Sequence, residues 1–185
     1  TLELIKKKQK NDNRIVIINQ DNRGSYYARK RGIAAASGDY LLFLDSDDFL
    51  EKNTLEKILH NVREVKPDVI MFNHRIVDYS GNFVKFNKHI YSKFSNRKIR
   101  KSQLLKDFLS GNELNNLWSK AVKKEVFGER NYNFREIGKI IQSEDRLQSL
   151  YIISSANDFL YVDEALYNYR SNHNSVTHNF RENNF

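Results

Sequence analysis

Residues 38–48 read Gly38-Asp39-Tyr40-Leu41-Leu42-Phe43-Leu44-Asp45-Ser46-Asp47-Asp48, an apolar run that breaks abruptly into an acidic cluster. The run Tyr40–Leu44 predicts a buried strand. Asp45, Asp47 and Asp48 follow it within four residues. Asp is normally ionised at neutral pH, so carboxylates this close repel one another. A divalent cation relieves that repulsion. Mg2+ or Mn2+ suits oxygen ligands that leave positions for water or substrate phosphates. The alternative is a solvated turn in which Asp47 or Asp48 caps the next helix.

Outward from this stretch the pattern alternates. Thr1–Lys10 reads as helix, with Leu2 and Ile5 one turn apart, and Arg14–Asn19 as a short buried strand. Gln20–Gly24 is a polar loop; Ser25 is placed to cap a helix that runs to Ala36 and stops at Gly38. Downstream, Thr54–Val65 has helical spacing, with Leu55, Ile58, Leu59 and Val62 on one face. Pro67 ends it, and Asp68–Tyr79 reads as strand. This order predicts an α/β layer with parallel strands and right-handed crossovers. Ligands of such sheets sit at the carboxyl ends of strands, where the acidic cluster lies.

The second half is less regular. Ser80–Asn82 is a turn, Phe83–His89 a returning hairpin strand and Tyr91–Lys101 a basic loop. Ser102–Leu109 reads as a helix ended by Gly111, and Asn116–Lys123 as a strand. Ser143–Ala156 reads as an amphipathic helix with Leu147, Leu150, Tyr151 and Ile153 inward, and Asp158–Arg170 as extended chain. No linker composition interrupts residues 1–185, which are expected to form a single domain.

Composition removes several classes. The absence of Cys excludes disulfide scaffolds, Cys-ligated zinc and iron–sulfur clusters. The apolar runs are far shorter than the roughly 20 residues of a membrane span. With 12 Phe and 10 Tyr the chain is too aromatic for disorder. Thirty-one basic against 23 acidic residues leave a net charge of +8, which asks for an anionic partner.

Residues 19–50 together resemble the central block of family 2 glycosyltransferases with the GT-A fold. That block has an Asn-x-Gly-x-x-x-Ala-Arg-Asn-x-Gly-like run, then Gly-Asp/Glu-Tyr, an apolar strand and Asp-x-Asp-Asp. Here Asn22, Gly24, Ala28, Arg29 and Gly32 match the first run, with Lys30 in place of its Asn. Leu117-Trp-Ser-Lys120 resembles the family's Trp-x-Lys stretch, and Glu144-Asp145 its Glu-Asp motif. Tyr167-Asn-Tyr-Arg170, followed by Asn174-Ser-Val176, resembles the closing segment of polysaccharide-building members. The resemblance implies a mixed GT-A-like sheet flanked by helices. It also implies that the first, nucleotide-binding strands precede Thr1 and are missing from the sequence.

The implied reaction moves a sugar from a nucleotide-sugar, a UDP-sugar, to an acceptor hydroxyl with inversion. It is metal-dependent and serves surface polysaccharide or glycolipid synthesis. On this resemblance Asp47 is the first metal ligand, with Asp45 and Asp48 nearby, and Mg2+ or Mn2+ the cofactor. Asp45 can instead orient the ribose or sugar. Arg29, with Lys30 or Arg31, would neutralise the diphosphate. Asp145 would be the general base, with Glu144 its neighbour; a helix start favours ionised carboxylates. Trp118 is either core or a sugar-stacking face, and Lys120 a structural or acceptor-side cation. His173 and His178 have no metal-ligand spacing.

The implied partners are the nucleotide-sugar donor, a saccharide or lipid-linked acceptor, an anionic membrane surface, and a second copy covering the exposed sheet edge. The implied location is cytoplasmic, peripheral at the inner membrane face. Two rivals stand beside this reading. One is a basic nucleic-acid-binding domain, prompted by the charge but lacking any nucleic-acid motif and leaving the acidic cluster unexplained. The other is an inactive glycosyltransferase fragment.

Overall fold

The computed structural model describes residues 2–86, 91, 96–111, 114–128 and 144–171. The expected hairpin residues 87–89, the expected cap Ser143, and His173, His178 and 174–176 lie outside them. Two compact units emerge, Thr1–Gly38 and Asp39–Phe185.

In the first unit, α1 spans Leu2–Gln9 and α2 spans Ser25–Ala35. Gly24, rather than Ser25, stands at the cap of α2, with φ 85° and its amide donating to Asn22 Oδ1 at 3.1 Å. That left-handed backbone is one that glycine adopts without steric cost. Arg14–Asn19 does not form the expected strand. A strand needs a neighbour to take its backbone hydrogen bonds. Every described ladder lies within the second unit. The segment is fixed by side chains instead: Gln9 Nε2 donates to the Ile15 carbonyl at 2.8 Å, and Arg14 forks onto Asp12 at 2.9 and 2.8 Å.

The second unit runs β1 (Tyr40–Leu42), β2 (Phe49–Leu50), α3 (Thr54–Val65), β3 (Val69–Val77), β4 (Phe83–Phe86) and β5 (Arg97–Ile99). It continues with α4 (Lys101–Ser110), β6 (Lys120–Lys123), a 3-10 turn (Lys124–Phe127), α5 (Glu144–Ser155) and β7 (Phe159–Arg170). The strands order as β1-β6-β3-β7-β2, with β4 on β3 and β5 on β7. The sheet is mixed, and among the described pairs only β3–β7 is parallel. The expectation of a parallel layer is corrected by β6. It returns from late in the chain and inserts antiparallel between β1 and β3, which keep a common direction with α3 between them.

The long strands β3 and β7 form the centre. Val69 to His74 are buried in succession, the pattern of a strand covered on both faces. The 12 residues of β7 meet the nine of β3 through register shifts near Phe72 and His74. One shift leaves Leu166 outside the ladder, and its carbonyl accepts the Glu51 amide at 3.1 Å and the Thr54 hydroxyl at 2.6 Å. A bulge in β7 thereby anchors the first turn of α3.

This anchor sets the rotation of α3. Thr54 and Ile58 are buried, and Val62 and Val65 pack on the core with Ile70, Phe72, Leu160 and Val162. Leu55 and Leu59, expected on the same inward face, are 64% and 47% exposed. On α5 the buried residues are Gln148, Ser149, Ile152 and Ile153 rather than Leu147, Leu150 and Tyr151. The expected loop at 91–101 contains β5 and the start of α4. β5 is polar in sequence and becomes a strand because the first residues of β7 offer it a ladder. Its exposed Arg97 and Lys98 suit a sheet edge.

Candidate active site

The acidic turn begins at Asp45, three residues past the end of β1. The Asp48 amide donates to the Asp45 carbonyl at 3.1 Å and closes it. β2 then pairs immediately with the far end of β7, setting Phe49 opposite Asn168 and Leu50 opposite Tyr167. The turn is therefore held on residues about 120 positions away.

Tyr167 and Arg170 make that attachment. The Tyr167 hydroxyl donates to Asp48 Oδ2 at 2.6 Å and accepts the Asp45 amide at 3.2 Å. The Arg170 amide donates to Asp48 Oδ1 at 2.7 Å. The Arg170 guanidinium lies 5.5 Å from the Phe49 ring centroid and donates to the Tyr79 carbonyl at 2.6 Å. Glu51 adds a second fastening, accepting from Arg75 at 2.5 Å and from Asn168 at 2.9 Å.

The electrostatics follow from this packing. Burial pushes the Asp48 carboxyl up, the two hydrogen bonds pull it down, and the charges of Asp47 and Asp45 push it up again. Burial and the bond to Asp48 push the Tyr167 hydroxyl far up, so it stays protonated. Among the described residues, no three His, Cys, Asp or Glu side chains come together to hold a metal ion. Of the expected trio, Asp48 is drawn onto β7, where both its oxygens are bonded. Asp47 is exposed and Asp45 half-buried. Those two carboxylates fit a Mg2+ or Mn2+ site, because such ions commonly take one or two protein carboxylates and complete their shell with water and substrate phosphates.

The Tyr-x-Tyr-Arg segment also builds the core beneath the turn. Trp118 stacks on Tyr167 at 4.5 Å and 20°, and on Tyr169 at 5.8 Å and 22°, with the His74 ring edge-on at 4.6 Å. Only 6% exposed, Trp118 is a core residue and presents no face to a sugar. Burial holds His74 down at about 4, so it is neutral at pH 7.

Glu144 and Asp145 occupy the first turn of α5, both half-buried. One turn on, Ser149 Oγ donates to the Asn115 carbonyl at 2.6 Å. Lys120, at the start of β6, is 1% exposed and donates from Nζ to the Leu114 carbonyl at 2.8 Å and to the Asn116 carbonyl. Burial pushes its ammonium down to about 7, and the negative charge of Asp145 opposes the fall. Asp145 therefore lies within electrostatic reach of the buried Lys120 amine. Arg29, Lys30 and Arg31 lie on α2 in the first unit, Arg29 and Lys30 half-buried and Arg31 exposed.

The sequence reading did not foresee Tyr167 as a partner of the acidic turn. Its available signal was a tyrosine following Ala165-Leu166, whose hydroxyl must find a partner when the strand is buried. Lys120 was foreseen only as one of two kinds of cation; its two carbonyl partners lie within six residues before it.

A family model described as Glycosyl transferase family 2 matches residues 1–129. The chain is 26% identical to EpsH of Bacillus subtilis over 94% of this chain and 49% of that relative. It is 31% identical to the minor teichoic acid biosynthesis protein GgaB of Bacillus subtilis, over 88% of this chain and 17% of that relative. The chain thus spans about half or less of the length of these relatives. The crystal structure of S. aureus TarS 1-349 superposes with a TM-score of 0.70 at 22% identity, covering 92% of this chain and 47% of that one. Structures of the same protein with UDP and with UDP-GlcNAc give 0.69 and 0.67. These likenesses establish the GT-A fold. Among the described residues, no helix is long and apolar enough to cross a membrane.

Proposed function

We propose that this chain, which belongs to glycosyl transferase family 2, moves a sugar from a nucleotide-sugar donor to an acceptor hydroxyl by single displacement with inversion. The observation that carries the reading is the acidic turn after β1, fastened to β7 so that Asp47 stands exposed. A UDP-sugar is the favoured donor, because UDP and UDP-GlcNAc are the ligands in the TarS structures that share this fold. A surface polysaccharide or lipid-linked saccharide is the favoured acceptor, in keeping with the teichoic acid role in GgaB's name. The net charge of +8 suits an anionic membrane surface as the peripheral location.

In this reading the acceptor oxygen attacks the anomeric carbon as the bond to the diphosphate breaks, and the acceptor proton passes to Asp145. The buried Lys120 amine lies within electrostatic reach of Asp145. Asp47, with Asp45, would hold a Mg2+ or Mn2+ ion, which supplies charge neutralisation for the departing diphosphate. Glu144 stands beside the base in the first turn of α5.

A screen of UDP-sugars by UDP release, with Mn2+ and a saccharide acceptor, tests the reading. Turnover is expected with one donor class, reduced about 100-fold or more by Asp47→Ala and by Asp145→Asn. Equal turnover in both variants and the wild type would defeat the assignment.

A further inference from the structure

We propose that Tyr167 is a positioning residue for the acidic turn and that Asp48 is its tether rather than a metal ligand, a role that rests on reading the turn as the metal–diphosphate site. One hydroxyl spans both ends of the turn. It gives its proton to Asp48 Oδ2 at 2.6 Å and takes the Asp45 amide proton at 3.2 Å. The other Asp48 oxygen receives the Arg170 amide at 2.7 Å. Asp48 is therefore bonded twice to one strand, and Asp47 is the exposed carboxylate between the tethered ends.

The hydroxyl is itself held in place from below. Tyr167 has 0% exposure, and its ring is stacked on Trp118 at 4.5 Å. The ring cannot swing to follow the turn, so the turn is fixed by the core. A metal ligand must be placed to within about 0.5 Å of its working position, and supporting hydrogen bonds supply that placement. The Tyr-x-Tyr-Arg segment thereby acquires a division of labour. Tyr169 packs under Trp118, Tyr167 both packs and holds the turn, and the backbone of Arg170 completes the clamp.

The test compares Tyr167→Phe, Asp48→Asn, their double variant and Asp47→Asn. Tyr167→Phe keeps the ring and its stacking and deletes one oxygen. Mn2+ affinity is measured calorimetrically with UDP present, and thermal unfolding is measured without ligand. Tyr167→Phe and Asp48→Asn are each expected to weaken Mn2+ binding by about 10-fold, the low end for loss of a supporting contact. The double variant is expected to fall well short of the product of the two single effects, because both disturb the shared Tyr167–Asp48 bond. Asp47→Asn should lose Mn2+ binding by a much larger factor. The proposal is overturned if Asp48→Asn is as damaging as Asp47→Asn while Tyr167→Phe binds Mn2+ normally. It is equally overturned if the two single effects multiply. Should the wild type bind no Mn2+ with UDP, the diphosphate reading fails. The tether is then judged on unfolding alone: non-additive shifts in Tm uphold it and additive shifts refute it.

Discussion

Lys120 and His74 are basic side chains buried in the core, and burial disfavours the charged form of each. His74 binds a proton readily in the unfolded chain near 6.5 but resists it in the fold down to about 4. Between those values the unfolded state holds more protons, so stability rises with pH across that window and is lost as pH falls through it. The full shift corresponds to roughly 3 kcal/mol at the acid end. Urea unfolding of wild type and His74→Phe at pH 7 and pH 4.5 checks this: the variant should lose less stability on acidification. Parallel losses would show that His74 is not the group responsible. Lys120 is kept by its two carbonyl partners. Lys120→Met preserves length but strands the Leu114 and Asn116 carbonyls, and should cost roughly 1–3 kcal/mol in urea unfolding at unchanged m-value. A variant as stable as wild type would contradict that account.

Elements inherit their orientation from such contacts. On α3, the Thr54 hydroxyl bonded to the Leu166 carbonyl turns Ile58 inward and leaves Leu59 at the surface. Ile58→Ala should therefore cost roughly 2–5 kcal/mol, while Leu59→Ala should cost well under about 1 kcal/mol. Equal losses in thermal unfolding would show that both leucine and isoleucine face the core. The span of α3 was legible because its spacing, and Pro67 after it, are local signals. Its inward face was not, because apolar side chains surround more than one stripe and the deciding contact comes from β7. The same holds for α5, where Ser149 is buried because the Asn115 carbonyl needs its hydroxyl. β2 and β5 are two and three residues long and exist only as partners of β7. No periodicity can announce a strand of that length. Arg14–Asn19 errs in the opposite direction, strand-like in composition but without a ladder.

At the scale of the molecule, the acidic turn was legible as a candidate site because an apolar run followed by crowded carboxylates is a local feature. The family resemblance on residues 19–50 agrees with the family model and the GT-A fold. What sequence could not divide was the labour among the three carboxylates, since the groups that claim Asp48 lie at the end of the last strand. The central claim is that the turn grips a nucleoside diphosphate through a divalent ion held by Asp47. Calorimetric titration of UDP, with and without Mn2+, against wild type and Asp47→Ala tests it most directly. The account predicts binding by the wild type only when Mn2+ is present, and its loss in Asp47→Ala. Equal UDP binding with and without the metal, unchanged in the variant, would contradict it.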